Sequence, residues 1–385
     1  MKSAILGILA IAPLCFSQDV PCPKDVFLDV SKYPGAGPQY PKPRLDAGCE
    51  GETLVVRSNG IPHYEFVQVT PNPLKEQDYE FRLPLAPKLA SQPTPIPLLG
   101  SAGLTINGLV FYGPNEGPVP ESEQFGDPIF NSIMDACMGH TALEYHYHAM
   151  VQSCLSAVKE GRPSPILGFA YDGFPIRGPW GCLDKDCAKV VKFKSSWEKV
   201  RKPHTDSWDA YDYVRKDGPE YLDQCNGRTG PDGAYSYHVT ETWPYIIGCY
   251  AGEPVRQRRP GVSRGPGGPP PGGPPRPTAQ QVAAAAAKLK IDPAVLAKAL
   301  RVTPGSVKPI NLAASARALQ VTESDLAEAL GLRRPPARQR PNQAPPGQAP
   351  CFFRCGQSDA KATGCTLTPD HKVVCGRPCE NNRCG

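Results

Sequence analysis

The chain has 385 residues, with 42 Lys and Arg against 37 Asp and Glu, and 40% of its residues are hydrophobic. This length predicts one main domain with appendages, and this composition excludes a chain that is disordered throughout. Fifteen cysteines argue against a reducing compartment. No stretch approaches the roughly 18 unbroken apolar residues of a membrane span. A cytosolic enzyme and a membrane-spanning protein are therefore poor interpretations of this sequence.

Residues 1–17 have the features of a secretory signal peptide. A charged start precedes an apolar run over residues 4–16, and Cys15 and Ser17 are small residues that would precede cleavage before Gln18. Removing this segment leaves an even number of cysteines, which fits complete disulfide pairing. The sequence therefore predicts a secreted, extracellular protein.

Composition divides the remaining chain into five segments. They are an aromatic, mixed domain at 18–252, a Pro/Gly/Arg linker at 253–277, an Ala- and Leu-rich segment at 278–332, a Pro-rich linker at 333–350 and a cysteine-rich segment at 351–385. Linkers of this composition cannot bury enough apolar surface to offset the entropy of ordering them. The last segment holds six cysteines, and this density predicts a disulfide-stapled mini-domain.

The Ala- and Leu-rich segment contains a repeat. Residues 286–300 align with residues 316–330 at an offset of 30. Asp292 stands before a proline in the first copy, and Thr322 begins a capping box in the second; both are typical of helix starts. We expect four short helices, two per repeat. The pattern leaves open whether this module binds a partner or is a compact spacer.

The large domain is predicted to be mainly β. Short β-prone runs are separated by turn dipeptides that favour tight hairpins, namely Asn59-Gly60, Asn107-Gly108, Asp172-Gly173 and Asp232-Gly233. We therefore expect a single antiparallel β domain stabilised by disulfides. The sequence does not decide between a sandwich-like arrangement and a distorted barrel.

One tetrapeptide, Tyr145-His146-Tyr147-His148, carries the most specific chemistry. Side chains two residues apart on a strand lie on the same face, about 6–7 Å apart. His146 and His148 would then share one face, and Tyr145 and Tyr147 the other. Neutral imidazoles at this spacing can bind one ion of copper, zinc, nickel or iron.

A second block, residues 235–238, repeats this pattern with serine in place of the first histidine. If the two strands are neighbours, His238 lies near His146 or His148, and His140 just upstream adds a fourth nitrogen. The predicted metal ligands are these four histidines, and the predicted metal is copper or zinc. Hydrogen-bonded structural histidines and acid–base catalysis are the alternatives.

Three further residues are candidates for contacts around these ligands. Asp172 is a turn residue, a carboxylate that orients an imidazole, or a direct oxygen ligand of the metal. Tyr145 and Tyr147 either support the ligands or are core aromatics whose hydroxyls find a partner. No glycine-rich phosphate loop precedes a helix, so no nucleotide or organic cofactor is expected.

Longer motifs surround the two Tyr-His blocks: Cys137-x-Gly139-His140 and the runs 164–179, 222–228 and 244–250. With the two blocks, they resemble the YHYH domain family over roughly residues 100–252. The resemblance implies a secreted protein and no established reaction. Many members of the family repeat Tyr-His-Tyr-His in the second block, so Ser236 is a departure from the pattern.

Two functional hypotheses follow. The first is a secreted metal-binding protein, which includes a copper-dependent enzyme. The second is a non-catalytic structural component of an extracellular matrix, including a mineralised one. Residues 1–250 carry 22 Lys and Arg against 29 Asp and Glu, whereas residues 251–385 carry 20 against 8. The basic half predicts binding to matrix or acidic polymers. Within 278–332 no aromatic residues alternate with the basic ones, so a nucleic acid is not an expected partner. No apolar run is long enough to span a bilayer, so a membrane is not expected either.

Overall fold

The computed structural model describes residues 20–117, 126–142, 144–156, 158–202, 206–257 and 276–332, with the backbone of 365–367 and 373–375. The predicted signal peptide, the second linker, most of the first linker and most of the cysteine-rich segment lie outside the described residues. No helix in the described part of the chain is long and apolar enough to cross a membrane.

The structure is mainly β, which confirms the predicted fold class. The strands of the large domain are β1 (Leu45–Glu50), β2 (Thr53–Ser58), β3 (Tyr79–Pro84), β4 (Leu89–Thr94), β5 (Ser101–Thr105), β6 (Val110–Tyr112), β7 (Gly139–Thr141), β8 (Tyr145–Tyr147), β9 (Ile166–Ala170), β10 (Pro175–Arg177), β11 (Trp180–Cys182), β12 (Val190–Lys192), β13 (Trp197–Lys199), β14 (Tyr211–Tyr213), β15 (Gly227–Thr229), β16 (Tyr235–His238) and β17 (Tyr250–Gly252). Two one-turn helices, α1 (Gln152–Leu155) and α2 (Ser207–Ala210), interrupt them, and β18 (Cys365–Leu367) pairs with β19 (Val373–Cys375) near the C-terminus.

An eight-stranded sheet forms the centre of the domain, in the order β15-β16-β10-β9-β5-β6-β8-β7. Most neighbouring strands are antiparallel, as predicted, but β6 with β8 and β10 with β16 are parallel. A parallel pair needs a long connection that returns the chain to the same end of the sheet. The connections that follow β6 and β10 are long, so they permit a pairing that the short hairpin signals could not reveal.

The two halves of this sheet have the same order. From the centre outwards, one half reads β5-β6-β8-β7 and the other β9-β10-β16-β15. Each inner hairpin turns at a predicted dipeptide, where Gly108 and Gly173 have φ of 79° and 89°. The halves meet where β5 pairs with β9 in antiparallel fashion. The sheet therefore has an approximate internal two-fold symmetry.

A three-stranded sheet, β1-β2-β3, packs against the same core. Along β3, Tyr79, Phe81 and Leu83 are buried, whereas the residues between them are partly exposed. This alternation gives the strand one apolar face. The ring of Phe81 stacks on Tyr171 at a centroid separation of 6.1 Å, which joins the small sheet to the turn after β9.

Disulfide bonds join all eight cysteines of the large domain, as Cys22–Cys49, Cys137–Cys154, Cys182–Cys187 and Cys225–Cys249. The predicted disulfide stabilisation is therefore confirmed in this domain. The bond from Cys137 closes a loop that contains three of the four predicted histidine ligands. It thereby restricts the conformations open to this segment in the unfolded chain.

The Ala- and Leu-rich segment forms four helices with their own apolar core: α3 (Ala279–Leu289), α4 (Pro293–Ala299), α5 (Leu312–Leu319) and α6 (Glu323–Ala329). Asp292 and Thr322 are N-cap residues, as the sequence predicts, and each side chain accepts a backbone amide hydrogen. Leu296 and Leu326, which are equivalent in the repeat, are both fully buried.

These helices contact the β domain through a buried ion pair. Arg301 Nη2 lies 2.6 Å from Asp206 Oδ2, and their side chains are 9% and 5% exposed. Asn311 donates a hydrogen bond of 2.9 Å to the same oxygen. Lys308 donates to the carbonyl of Tyr211 over 2.9 Å. The module is therefore attached to the β domain.

Candidate metal centre

Three histidines of the tetrapeptide region lie on one face of the β7–β8 hairpin. His140 on β7 is directly opposite His146 on β8. His148 follows two residues later, so the pleat directs it to the same side. All three side chains are buried, with residue exposures of 1–2%. The alternation along β8 places His146 and His148 on one face, and the pairing with β7 adds His140, so three imidazoles form a cluster.

Each imidazole is oriented by a backbone carbonyl. The contacts are His140 Nδ1 to Ile133 O at 3.0 Å, His146 Nδ1 to Glu144 O at 3.1 Å and His148 Nδ1 to Gly113 O at 2.7 Å. A carbonyl oxygen only accepts hydrogen bonds, so each Nδ1 must carry the hydrogen. In the neutral ring, the lone pair is then on Nε2.

The three Nε2 atoms converge with a carboxylate oxygen of Glu116. His140 Nε2 is 3.0 Å from His146 Nε2. Glu116 Oε2 is 2.6 Å from His140 Nε2 and 3.4 Å from His148 Nε2. All four ligand atoms lie within 4.8 Å of one another. When the three rings are neutral, four lone pairs therefore face one point.

Burial and neighbouring charges set the protonation of this group. Burial lowers the pKa of His146 well below its ordinary value, and His140 and His148 lower it further. Burial alone would raise the pKa of Glu116, but its contacts with His140 and His148 outweigh that effect and lower the pKa far below its usual range. Glu116 is therefore ionised and His146 neutral, which are the forms that bind metal ions.

An aromatic residue fixes one of the rings. Tyr112 at the end of β6 stacks on His146, with centroids 3.8 Å apart and planes 19° apart. The hydroxyl of Tyr112 donates to Glu144, which also accepts a hydrogen bond of 2.7 Å from Tyr79. The imidazole therefore has little freedom to rotate away from its neighbours.

The donor set fits a transition-metal ion. Ligand atoms bound about 2.0–2.2 Å from a tetrahedral ion lie about 3.3–3.6 Å from one another. Glu116 Oε2 and His148 Nε2 have such a separation, 3.4 Å, whereas the contacts of 3.0 and 2.6 Å made by His140 Nε2 are shorter and would lengthen around an ion. Imidazole nitrogens suit zinc, copper, nickel and iron, and one carboxylate adds a negative charge to balance the ion.

Residues 80–252 match the model of the family described as YHYH protein. These residues form a YHYH domain. The match confirms the resemblance read from the motifs and extends it towards the N-terminus, as far as β3. A search of curated proteins and a search of solved structures each found no match to the chain.

His238 lies apart from the other predicted ligands of the YHYH domain. Its strand, β16, is five strand spacings from β8 in the central sheet, or roughly 24 Å along a flat sheet. His238 Nδ1 contacts the carbonyl of Gly178 at 2.9 Å, and its Nε2 contacts Ser236 Oγ at 3.2 Å. The two motif strands are not neighbours because each belongs to a different half of the symmetric sheet.

Asp172 lies in the second half of the YHYH domain. Its Oδ2 accepts hydrogen bonds from the hydroxyl of Tyr237 and from the backbone amide of Gly252. This carboxylate therefore joins β16 to β17. Its other oxygen accepts the backbone amide hydrogen of Phe174 in the turn that follows β9.

Tyr145 and Tyr147 point away from the imidazoles, as the alternation along β8 predicts. Tyr145 donates a hydrogen bond of 2.6 Å to Asp135. Tyr147 contacts the hydroxyl of Tyr64 at 2.6 Å and the amide of Asn107 at 3.0 Å. They support the strand from its opposite face rather than contacting the ligands.

Glu116 is the residue that sequence analysis missed. A single glutamate in the loop after β6 has no local pattern to mark it. It approaches the histidines because β6 runs parallel to β8, with Val110 beside His146. The chain leaving β6 then passes His148 and brings Glu116 to the cluster. Only the parallel pairing determines this approach.

Proposed function

We propose that this is a secreted protein whose YHYH domain binds one copper or zinc ion through Glu116, His140, His146 and His148. One observation carries the proposal: four lone-pair atoms converge in a buried site, while each imidazole is held through its other nitrogen. Two of these atoms, Glu116 Oε2 and His148 Nε2, are buried without a hydrogen-bond donor.

The energetics favour an ion over an arrangement of structural histidines. A buried polar atom without a partner costs about 1–3 kcal/mol, and a folded domain contains few of them. Placing a second proton on His146 would charge a fully buried imidazole, which the depressed pKa of His146 opposes. Binding of a structural zinc ion releases about 10–16 kcal/mol in small peptides, enough to offset these costs.

The ligand count supports stable metal binding rather than turnover. Four protein ligands complete a tetrahedral shell, whereas catalytic zinc sites commonly use three and keep one position for water or substrate. We therefore assign no reaction to this centre. It binds and retains the ion.

The remainder of the chain supports an extracellular role. The signal-like residues 1–17 and the four disulfides fit secretion. Residues 251–385 carry 20 basic and 8 acidic residues, and this net positive charge supports attachment to acidic polymers of a matrix. A non-catalytic matrix component that also binds metal unites both functions.

Metal analysis of the secreted, purified protein tests the proposal. We expect one equivalent of copper or zinc after loading with either ion and removal of the excess. The His146→Ala/His148→Ala double variant should lose it, because it removes two of the four ligands. His238→Asn is the matched control, since it changes a buried imidazole of the other half and should retain one equivalent. Folded wild-type protein that retains neither ion would overturn the proposal.

A further inference from the structure

The outer hairpin of the second half repeats the contacts of the first. Asp135 accepts hydrogen bonds from the backbone amides two and four residues after it and from the hydroxyl of Tyr145. Asp223 accepts the same three, from the amides two and four residues on and from the hydroxyl of Tyr235. The two hairpins are thus equivalent residue by residue.

The equivalence extends to the inner strands. His148 and His238 end the two motif strands, and each directs Nδ1 to a glycine carbonyl. The two glycines, Gly113 and Gly178, each follow an inner strand and precede a proline. The second half therefore contains an equivalent group of side chains, called the second pocket below, at the position that corresponds to the metal centre, and the ring of Phe193 packs against it.

Three of the four ligand positions differ in this second pocket. Position by position, Glu116 corresponds to Gly181, His140 to Arg228, His146 to Ser236 and His148 to His238. Arg228 is opposite Ser236 on the paired strand. A Cβ atom at Gly181 would lie 3.4 Å from His238 Cε1, so this position faces the remaining histidine. The carboxylate that would attract a cation is thus missing.

The pocket has also gained a second guanidinium. Arg177 at the end of β10 takes the position that Tyr112 has on β6, and it pairs in register with His238. Arg177 and Arg228 therefore share the sheet face of Ser236 and His238. Burial lowers the pKa of His238, and the charges of Arg177 and Arg228 lower it further. The charge of the pocket is reversed relative to the metal centre.

These two guanidinium groups are partly withdrawn from water without a counter-ion. Burial lowers the pKa of both arginines. Within the described residues, no carboxylate forms an ion pair with either, and Asp232 acts on Arg177 only at longer range. Arg228 lies over the ring of Phe193 at 4.6 Å and donates hydrogen bonds to the carbonyls of Pro219 and Thr229. None of these contacts neutralises its charge.

We propose that Arg177 and Arg228, on the sheet face beside Ser236, form a binding site for the oxyanion of a phosphate or sulfate group. A guanidinium presents a planar set of donors that matches such oxygens. The Ser236 hydroxyl donates to His238 Nε2, so the two guanidinium groups supply the donors of the site. The ligand is either a free inorganic ion or the same group carried on a polymer. This site does not depend on the metal centre, because the two halves share no ligand.

Calorimetric titration of the mature chain with inorganic phosphate and inorganic sulfate tests the site, and a second titration uses dextran sulfate. Saturable binding of a free ion, or binding of the polymer alone, supports the proposal when it depends on the arginines. The Arg177→Gln/Arg228→Gln variant should bind at least about tenfold more weakly, because it removes two charge-assisted donors. Equal affinity of this variant and the wild-type protein for all three probes overturns the proposal.

Two further variants separate a local effect from a general one. Arg44→Gln/Arg57→Gln removes the same charge from arginines that pair with glutamates elsewhere, and it should bind as the wild-type protein does. Ser236→Asp places a carboxylate opposite Arg228 on a partly exposed position, so it should block the oxyanion without unfolding the sheet. Undiminished binding by a folded Ser236→Asp variant would contradict the proposed site.

The proposed metal centre and the oxyanion site can fail independently. The His146→Ala/His148→Ala variant should lose the metal but keep the affinity for phosphate or sulfate. The Arg177→Gln/Arg228→Gln variant should retain one equivalent of metal and lose affinity for phosphate or sulfate. Loss of both ligands in either variant, with the fold intact, would contradict the independence of the two sites.

Discussion

Two equivalent histidines show how neighbouring residues change the role of a side chain. His148 and His238 have the same backbone anchor, but only His148 faces other imidazoles and a carboxylate. His238 packs against Phe193 at a centroid separation of 4.5 Å and contacts Ser236. Burial lowers the pKa of His238 to about 4, with smaller effects from Arg177 and Arg228. It is therefore neutral in the folded protein at pH 7.

His238 should make stability depend on pH. Its pKa is about 4 in the folded protein and 6.5 in the unfolded chain, so the unfolded chain binds the proton more tightly. The contribution of neutral His238 to the free energy of unfolding is complete above pH 6.5 and is lost as the pH falls towards 4. The shift corresponds to about 3 kcal/mol of the free energy of unfolding. Denaturant titrations of the wild-type protein and His238→Asn at pH 7 and pH 4 measure it.

The comparison with His238→Asn removes the effects of other groups. Asp127, Asp172 and Asp223 have raised pKa values because they are buried, and they act in the opposite direction. These aspartates are present in both proteins, so their effects cancel when the pH dependence of His238→Asn is subtracted from that of the wild-type protein. An identical loss of stability in both proteins on acidification would show that His238 does not titrate in this way.

At the scale of elements, a glycine allows the β7–β8 hairpin to close. Gly139 lies directly opposite Tyr147, and a Cβ atom at Gly139 would collide with the ring and hydroxyl of Tyr145. The same tyrosine donates to Asp135, whose other oxygen accepts the amide of Gly139. The hairpin that carries His140 therefore depends on a position that excludes every larger side chain.

Gly139→Ala should weaken both the fold and the metal centre. The added methyl group displaces Tyr145, and overpacking of this kind costs about 1–3 kcal/mol. His140 and His146 face each other across this hairpin, so their separation should change and metal affinity should fall. Thermal unfolding and metal titration measure the two effects.

Gly227→Ala is the matched control, because a Cβ there meets Tyr235 in the equivalent way. It should lower the melting temperature to a similar extent and leave metal affinity unchanged. Equal metal affinities of the two variants would show that the metal centre is not coupled to its hairpin.

At the scale of the whole molecule, the helical module is attached to the loop that lies next to Glu116. Asp206 accepts hydrogen bonds from Arg301 and Asn311 of the module and from Trp208 of α2. Asn115, the residue before Glu116, accepts the backbone amide hydrogen of Ser207 over 3.1 Å. The attachment of the helices therefore stabilises a segment that supports one proposed metal ligand.

Arg301→Met should detach this module. Removing one partner of a buried ion pair leaves a buried charge and costs about 3–5 kcal/mol, so Asp206 should become exposed to water. Hydrogen exchange should rise in residues 206–212 and 301–311 in the otherwise folded protein. Lys298→Met is the control, because it removes an exposed charge from the same module. Unchanged exchange in Arg301→Met would mean that the ion pair does not hold the two parts together.

The sequence by itself determined the features that depend on local periodicity. Alternation along Tyr145–Tyr147 places the histidines on one face and the tyrosines on the other, and turn dipeptides mark the inner hairpins. Capping residues such as Asp292 start the helices of the repeat. Each of these signals acts over a few residues, so each can be read without knowledge of distant contacts.

Only the tertiary structure decided which residues share the candidate site. Parallel pairing of β6 with β8 brings Glu116 to the histidines, and the two-fold order of the sheet keeps His238 in the other half. The same order places Arg177 and Arg228 beside His238. Strand order and strand direction depend on long connections and on the packing of the whole core. Similar local motifs can therefore lie in side-chain clusters of opposite charge.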